Sequence, residues 1–294
     1  MTDATRIDSA WIAANPVPVH SAKNTTKNSR GRVLAIGGSA MVPGALRLTG
    51  EAALRAGAGK LQMATISSAT TGLGLLVPEA GVIALAQDAD GEIAIDDDAV
   101  LAKALESCEA VILGPGIGTV ETAARLLRLV LDRRRDDMML VIDALALGCA
   151  ADVKAKLSVF ANRLVFTPHH GEMAMLTGQD ESEIAADPER AAREVAAAYR
   201  AVVVLKGSDT VIAAPDGTLL HYGGGGTGLA TAGSGDVLAG AIGGLLSRGA
   251  TPLVAAGWGV WLHGQSGRRV ATTAGPIGFL ARELPPEFPR LLPQ

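Results

Sequence analysis

The sequence predicts a single α/β domain with a mostly parallel central sheet and helices on both faces. Strand-like and helix-like runs alternate along the chain, and the connections between them are short, which is typical of parallel sheets. No linker-like stretch divides the 294 residues, and no repeat with a period of roughly 20–50 residues recurs. Glycine accounts for 36 residues and aromatic residues for only 3% of the chain, a composition that suits closely packed helices and strands joined by tight turns.

The ordered core is expected to begin at a short apolar strand, Arg32–Ser39, which runs into a glycine turn. The polar residues 1–30 before it are predicted to form an N-terminal leader or exposed arm. Helical spacing follows in residues 44–57, where Gly57 is the expected C-cap. The next predicted strands are Lys60–Ile66 and the start of Ala110–Gly118, which leads into a second glycine turn.

The second half of the chain continues the alternation and carries clear helix caps. Thr119 is predicted to cap a helix that runs to Arg134, and Asp187 to open another helix with Pro188 in its first turn. A short helix after a strand and a turn is closed by Gly178. The remaining predicted elements are a strand ending near Asp143, two or three strands in residues 201–222, two Gly- and Ala-rich helices, and a peripheral Pro-rich tail at residues 285–294.

Charge and hydropathy exclude several classes of function. The net charge of -4 gives no electrostatic reason to expect nucleic acid or an anionic membrane as a partner. No apolar stretch reaches the roughly 18 residues of a transmembrane helix, and the N-terminus has neither the basic nor the apolar region of a signal peptide. Cys108 and Cys149 lack metal-ligand spacing, so we expect buried free thiols in a reducing cytoplasm.

Three glycine clusters fall where strands are predicted to end, at Gly37–Gly38, Gly114–Gly118 and Gly223–Gly235. Ligands of open α/β sheets bind beyond the carboxyl ends of the strands, and glycine lets a ligand approach the backbone closely. Part of the third cluster matches G-x-G-x-x-G, but no βαβ unit with a ribose-binding acid follows, which argues against a Rossmann dinucleotide site. The sequence also lacks a Walker A motif.

The most specific pattern is Gly233-Ser234-Gly235-Asp236, directly before an apolar helix-like run. Backbone amides at the start of a helix, together with the helix dipole, form a site suited to a phosphate. Asp236 is placed in the first helical turn. It is either a favourable partner of the helix dipole or a general base that deprotonates a hydroxyl beside the phosphate.

The segment "GLATAGSGDVLAG" resembles the nucleotide-binding and catalytic segment of ribokinase-like enzymes, and in particular of the ADP-dependent NAD(P)H-hydrate dehydratase family. The resemblance covers about residues 31–284, which we take as one ribokinase-like domain. Its other motifs, in the family's order, are "GRVLAIGGSAMVPGALRLTGEAALRAGAGKL", "ILGPGIG", "VIDALAL", "TPHHGEMAMLTG" and "VLKGSDTVIAAPDG".

The resemblance implies an enzyme that repairs hydrated NADH or NADPH (NADHX or NADPHX). Such enzymes use ADP, or in some lineages ATP, to phosphorylate the hydrate hydroxyl, and phosphate is then eliminated. Asp236 is implied as the base, and Mg²⁺ as the companion of the nucleotide, with the metal ligands left open. A homo-oligomer, a tetramer, is also implied. Because only about 30 residues precede the domain, too few for the N-terminal epimerase domain of many relatives, a separate epimerase is the expected partner.

The resemblance also implies which residues form the site. The Asp236 carboxyl and three further positions would contact the hydrated nucleotide: Ala45, Gly118 and His169. His170 replaces a proline common in the family, which leaves open which of the two histidines faces the site. The implied nucleotide-binding residues are Lys206, Gly207, Ser208, Asp209, Thr210, Gly233, Ser234 and Gly235.

Several neighbouring residues receive other interpretations. Glu172 is expected to cap the turn in "TPHHGE", and His263 to pack in the core with two tryptophans, Trp258 and Trp261. Asp143 is left open between structural hydrogen bonding and a role in metal or phosphate chemistry. Gly226 stands where the family commonly has asparagine, so the nucleotide loop lacks that side-chain amide.

Two alternative functions share parts of this pattern. A ribokinase-like kinase of a small alcohol or vitamin precursor would use the same anion site and base but release a stable phosphorylated product. A regulatory nucleotide-binding protein without chemistry would not need the acid of the Gly-Ser-Gly-Asp segment. The segments "GGSAMVPGA" and "TPHHGE" favour the dehydratase.

Overall fold

The structure, a computed structural model, describes residues 4–19, 25–95 and 99–293. Within these ranges the strands, in chain order, are β1 (Thr5–Arg6), β2 (Arg32–Ile36), β3 (Lys60–Ile66), β4 (Ala80–Gln87), β5 (Ile93–Ala94), β6 (Ala110–Leu113), β7 (Met139–Ile142), β8 (Leu164–Phe166), β9 (Val202–Leu205), β10 (Asp209–Ala213) and β11 (Leu219–Gly223).

The helices alternate with these strands. In the same ranges they are α1 (Ser9–Ala14), α2 (Ala45–Arg55), α3 (Thr70–Leu76), α4 (Ala99–Leu105), α5 (Val120–Asp132), α6 (Leu145–Gly148), α7 (Lys154–Leu157), α8 (His170–Thr177), α9 (Glu181–Ala186), α10 (Pro188–Tyr199), α11 (Ser234–Ser247), α12 (Pro252–Ala274) and α13 (Phe288–Leu291). In this part of the chain, no helix combines the length and the apolar character needed to cross a membrane.

The strands form one sheet in the order β1-β11-β10-β9-β8-β7-β6-β2-β3-β4-β5. From β9 to β4 every neighbouring pair is parallel, whereas β10 runs antiparallel to both β9 and β11, and β5 runs antiparallel to β4. The prediction of a mostly parallel sheet is therefore confirmed. Parallel pairing brings the carboxyl ends of the central strands to one edge, where the glycine clusters lie.

Helices cover both faces of the sheet, as predicted. Side chains of a strand alternate between its two faces, so Leu34 and Ile36 of β2 enter one buried cluster and Val33 and Ala35 enter the other. The first cluster packs against α5 and α10, and the second against α2, α11 and α12. Because both faces are covered, the central strands are apolar along their whole length rather than alternating.

Local cap chemistry places the helix boundaries close to the predicted ones. The Thr119 hydroxyl accepts from the amide of Thr122 at 3.3 Å, and the Asp187 carboxylate accepts from the amide of Arg190 at 3.0 Å. Gly178 adopts a left-handed conformation, with φ of 73°, and ends α8. These interactions span three or four residues, which is why the sequence alone predicts them.

Both chain ends are more integrated than predicted. The expectation of an exposed leader is wrong for residues 4–19: β1 pairs with β11, and Trp11 of α1 is buried against α12. Residues 1–3 and 20–24 of the predicted leader lie outside the described residues. The Pro-rich tail is also not peripheral, because Phe288 is fully buried where α13 packs on α12 and α2. Pairing and packing of this kind join distant parts of the chain, and no local pattern reports them.

Helices α2 and α11 approach each other closely through glycine. A methyl group on Gly240 would overlap the backbone carbonyl oxygen of Thr49, and one on Gly244 would lie 2.5 Å from that of Ala53. These overlaps are with backbone and not with a flexible side chain, so relieving them requires the two helices to separate. The contact holds the start of α11, and thus Asp236, against the sheet.

We predict that Gly240→Ala lowers the free energy of unfolding by about 1–3 kcal/mol, because overpacking outweighs the higher helix propensity of alanine. Chemical denaturation measures this change. The matched control is Gly72→Ala in α3, where the added methyl group meets no atom within 4 Å, and which should be neutral or slightly stabilising. A Gly240→Ala protein as stable as the parent would contradict the prediction.

Candidate active site

A cavity of about 940 Å³ opens at the carboxyl ends of β7, β8 and β9, beside the start of α11. Most of the residues predicted for the site line it. They are His169, Lys206, Gly207, Ser208, Thr210, Gly233, Ser234, Gly235 and Asp236. The other three predicted residues, Asp209, Ala45 and Gly118, do not line this cavity.

The amides at the start of α11 lie where the sequence predicts an anion site. Gly233 has a φ of 85°, which favours glycine, and it turns the chain into a helix that begins at Ser234. The amide of Ser234 already donates to Thr231 O at 3.2 Å. Within the described chain the amides of Gly235 and Asp236 have no backbone acceptor, so these two are left for an anion.

The Asp236 carboxyl lies in the first turn of α11, as predicted, and it faces the cavity. Burial and then the charge of Asp143 raise its pKa from 3.8 to about 7, while Lys206 acts to lower it and Glu172 to raise it. A partner of the helix dipole would instead have a low pKa. A carboxyl that titrates near neutral pH is suited to accept and release a proton.

A partly buried lysine connects two carboxylates at the cavity wall. Lys206 follows β9, and its Nζ lies 3.1 Å from Asp143 Oδ1 and 3.4 Å from Glu172 Oε2. Burial acts to lower the pKa of Lys206, but the charges of Asp143 and Glu172 and the hydrogen bonds to both raise it above its ordinary value. Lys206 is therefore a fixed cation at the cavity wall, within reach of Gly235.

The contacts of Asp143 bear on its two interpretations. The carboxylate is almost fully buried after β7, and its Oδ1 accepts from Thr167 Oγ1 at 2.7 Å and from Lys206 Nζ at 3.1 Å. These contacts hold the lysine in place, which favours the structural role. Asp143 is also one of the residues that line the cavity.

His169 rather than His170 lines the cavity. His169 is the N-cap of α8: its Nδ1 accepts from the amides of Gly171 at 3.0 Å and Glu172 at 3.3 Å. Glu172 completes a capping box by accepting from the His169 amide at 2.8 Å, which confirms its predicted capping role. The other ring nitrogen, Nε2, lies 3.5 Å from Glu172 Oε1, so both ring nitrogens of His169 face groups of its own turn.

Ala45 and Gly118 lie further along the same sheet edge, beside β2 and β6. Sequence reasoning missed their neighbour Glu92, a buried acid whose Oε2 accepts from the Gly118 amide at 3.1 Å. Any side chain on Gly118 would overlap Glu92. Glu92 lies in the turn between β4 and β5. In the same turn, the carbonyl oxygen of Gly91 accepts a hydrogen bond from the Ala40 amide at 2.8 Å. The turn thus holds together both glycine-containing loops that the resemblance assigns to the substrate.

The prediction that His263 packs in the core is wrong. The residue retains some exposure and lines the cavity, with Nε2 2.8 Å from Ser234 Oγ. Trp258 is buried as predicted, and Trp261 packs on it edge to face with ring centroids 5.5 Å apart. In the sequence, His263 is a single histidine in an otherwise apolar stretch. That pattern does not show which face of α12 the histidine occupies.

Gly226, where the resembled family commonly has asparagine, lines the cavity with φ of 82° and ψ of 168°. This backbone conformation is essentially restricted to glycine. The loop therefore follows a path that an asparagine at this position would not readily adopt.

The side chains around the cavity are not arranged to bind a metal ion by themselves. In residues 4–19, 25–95 and 99–293 no cluster of three His, Cys, Asp or Glu side chains is arranged to hold a metal ion. Asp143 and Glu172 are both paired with Lys206, which supplies the positive charge that a metal would otherwise bring. We therefore derive no step through a metal held by these side chains.

The mostly parallel sheet, covered by helices on both faces and with a cavity at the carboxyl ends of its strands, defines a protein of the ribokinase-like class. A solved ribokinase-like superfamily protein from Enterococcus faecalis superposes with a TM-score of 0.79 at 25% identity, over 98% of this chain and 95% of that one. The chain belongs to the NAD(P)H-hydrate dehydratase family, whose sequence profile matches residues 33–290.

Two further relatives agree with this assignment. An ADP-dependent (S)-NAD(P)H-hydrate dehydratase of Xanthomonas campestris is 45% identical over 286 residues, which are 97% of this chain and 95% of that protein. The ADP/ATP-dependent NAD(P)H-hydrate dehydratase of Bacillus subtilis, co-crystallised with ATP and Mg²⁺, superposes with a TM-score of 0.80 at 28% identity, over 99% and 98% of the two chains.

Proposed function

We propose that the protein dehydrates (6S)-NAD(P)H hydrate to NAD(P)H and couples this to ADP or ATP, releasing AMP and phosphate when ADP is used. The observation that carries the proposal is the position of the Asp236 carboxyl. It lies at the wall of a large cavity, next to two unpaired amides and a fixed lysine, and burial raises its pKa to about 7. Membership of the dehydratase family favours this reaction over the small-alcohol kinase and over a binding protein without chemistry.

The first step is transfer of a phosphoryl group to the substrate. Asp236 takes the proton of the hydrate hydroxyl, and the oxygen forms a bond to the terminal phosphorus of the nucleotide. The bond between that phosphorus and the bridging oxygen breaks, so ADP leaves as AMP. The amides of Gly235 and Asp236 and the charge of Lys206 stabilise the negative oxygens of the group in transfer.

The second step eliminates phosphate. Hydroxide is a poor leaving group and phosphate a good one, so the first step makes the carbon–oxygen bond breakable. The lone pair of the ring nitrogen expels phosphate, and loss of a proton from the neighbouring carbon restores the ring double bond. No oxidant or reductant is consumed, because the hydrate and the dihydronicotinamide differ only by water.

We assign the nucleotide co-substrate and the hydrated nicotinamide nucleotide to two different sets of residues. We assign the AMP portion to residues 206–210, whose Lys206, Gly207, Ser208 and Thr210 line the cavity, with Asp209 beside them on β10. Ala45, Gly118 and His169 are assigned to the hydrated nicotinamide nucleotide. The small size of Ala45 and Gly118 leaves room for a dinucleotide to pass close to the backbone.

Mg²⁺ is proposed to arrive with the nucleotide, bound by phosphate oxygens and water, and would neutralise phosphate charge. Location in the cytoplasm and assembly as a homotetramer are further parts of the proposal. The buried free thiols of Cys108 and Cys149 are compatible with a reducing compartment. Because an asymmetric site binds one epimer of the hydrate, a separate epimerase is the expected supplier of the (6S) form.

The deciding experiment incubates purified protein with hydrated NADH or hydrated NADPH and either ADP or ATP. A dehydratase restores the near-ultraviolet absorbance of the dihydronicotinamide and releases one phosphate for each hydrate consumed. A kinase would leave a stable phosphorylated product from a small alcohol and would not restore the absorbance. A protein that binds nucleotide without either change would overturn the proposal.

The pH dependence of the reaction follows from the pKa of Asp236. We predict that kcat/KM for the hydrate falls as the pH drops below about 7, because a protonated carboxyl cannot accept the hydroxyl proton. Initial rates at constant ionic strength, from about pH 5.5 to 9, measure the profile. A profile that stays flat through this range would show that a group with this pKa does not limit the reaction.

A further inference from the structure

We propose that His263 is a positioning residue that holds the Ser234 hydroxyl so that its proton points at the phosphoryl group in transfer. The proposal rests on the proposed function, and it adds a side-chain donor to the two backbone amides of the anion site. Resemblance alone assigned Ser234 to the nucleotide and gave His263 a packing role. The structure instead brings the two side chains together at the cavity wall.

The geometry of the pair is specific. Ser234 is the first residue of α11, and its side chain is largely buried, with Oγ 2.8 Å from Nε2 of His263. His263 comes from the neighbouring helix α12, so the contact joins two helices at the site. Ser234 lies one and two residues before the amides of Gly235 and Asp236, which places its hydroxyl at the rim of the same anion site.

The direction of the hydrogen bond decides what the hydroxyl can do. If Nε2–H donates to Ser234 Oγ, the serine O–H is free to donate to a phosphate oxygen. If Nε2 instead accepts from the serine, the hydroxyl proton points into the protein and away from the phosphate. The proposal requires the first arrangement, with the proton of the neutral ring on Nε2.

The surroundings of His263 support a neutral ring. Burial lowers the pKa of His263 from 6.5 to about 4, a hydrogen bond to the Ser234 backbone acts to raise it, and the positive charge of Lys206 acts to lower it. The imidazole is therefore uncharged over the working pH range and carries a single N–H. The proposal places that N–H on Nε2, which lies 2.8 Å from Ser234 Oγ.

A double-mutant cycle tests this coupling with Ser234→Ala, His263→Leu and the double variant. Loss of one donor to a transferring phosphate should lower kcat about 10–100-fold in each single variant, while KM for the hydrate and the nucleotide Kd change little. The double variant should be no slower than the slower single variant, because His263 acts through Ser234. His263→Gln, whose amide nitrogen can take the place of Nε2–H, should recover most of the rate.

The matched control is Ser266→Ala on α12, a buried serine whose hydroxyl has no hydrogen-bond partner in the described chain. It should leave kcat unchanged. Effects of Ser234→Ala and His263→Leu that multiply, or a Ser234→Ala enzyme at the parent rate, would overturn the positioning role. A purely structural histidine would instead lower the melting temperature without giving a shared loss of kcat or a recovery with glutamine.

A second readout does not depend on the hydrate. Calorimetry of inorganic phosphate binding to the AMP complex should give about 10-fold weaker binding in Ser234→Ala and in His263→Leu. An inactive parent enzyme would overturn the proposed function, and phosphate binding would still report on the pair. Equal phosphate affinity in the parent and both variants would overturn the proposal about His263.

Discussion

Replacing Asp236 with asparagine is expected to slow turnover by about 10²–10⁴-fold while ADP still binds. The amide keeps the shape of the carboxyl but cannot accept a proton from the hydrate hydroxyl. The two amides of the anion site and Lys206 are untouched, so nucleotide affinity should be retained or slightly increased as one negative charge is lost. Steady-state rates and calorimetric titration with ADP separate the two effects.

The same variant has a signature in stability. The pKa of Asp236 is about 7 in the folded protein and 3.8 for the ordinary group, so the folded state holds the proton more tightly. The stability that this proton contributes is present below the lower value and is lost as the pH rises through about 7. Asp236→Asn should therefore be stabilised relative to the parent, by an amount that grows from about pH 4 to pH 7 and then levels off.

The control for both measurements is Asp216→Asn, an exposed acid in the turn between β10 and β11. It should leave turnover unchanged and show no gain in stability at pH 8. Near-parent turnover in Asp236→Asn would remove this residue from the mechanism. Loss of turnover together with loss of ADP binding would indicate that the carboxyl shapes the nucleotide site and is not the base.

Lys206→Met is expected to weaken nucleotide binding and to destabilise the fold at the same time. The methionine side chain fills a similar volume but leaves Asp143 and Glu172, both buried, without their cation. Removing one partner of a buried ion pair typically costs about 3–5 kcal/mol of unfolding free energy. Denaturant unfolding and ADP titration measure the two losses. The midpoint of the pH–rate profile should also move upward, because Lys206 acts to lower the pKa of Asp236.

Two comparisons sharpen the test of Lys206. Lys206→Arg keeps the charge and should retain most of the stability, although its planar head group alters the contact with phosphate. Lys156→Met removes an exposed lysine paired with Asp132 at 2.8 Å and should cost at most about 1 kcal/mol. If Lys206→Met were no more destabilising than Lys156→Met, the buried network would not be holding the site together.

Local interactions made much of the chain predictable. The strand Lys60–Ile66, the Thr119 cap and the first-turn position of Asp236 all have the predicted place, because each depends on residues within about one turn of each other. The segment between β3 and β6 was not predicted. Its strand β4 is only partly buried and β5 has two residues, so neither carries a strong apolar period. Glu92, which lies between them, was missed for the same reason.

The sequence by itself determined the alternation of strands and helices over most of the chain, the family, and the position of one acid behind a glycine turn. Only the tertiary structure decided how that acid behaves. Its pKa depends on burial and on Asp143, Glu172 and Lys206, which come from separate elements of the chain and meet only at the sheet edge. The partner of Ser234, His263, is likewise set by the packing of α11 on α12. Caps and periodicity act between near neighbours in sequence, whereas electrostatic interactions depend on distances in space.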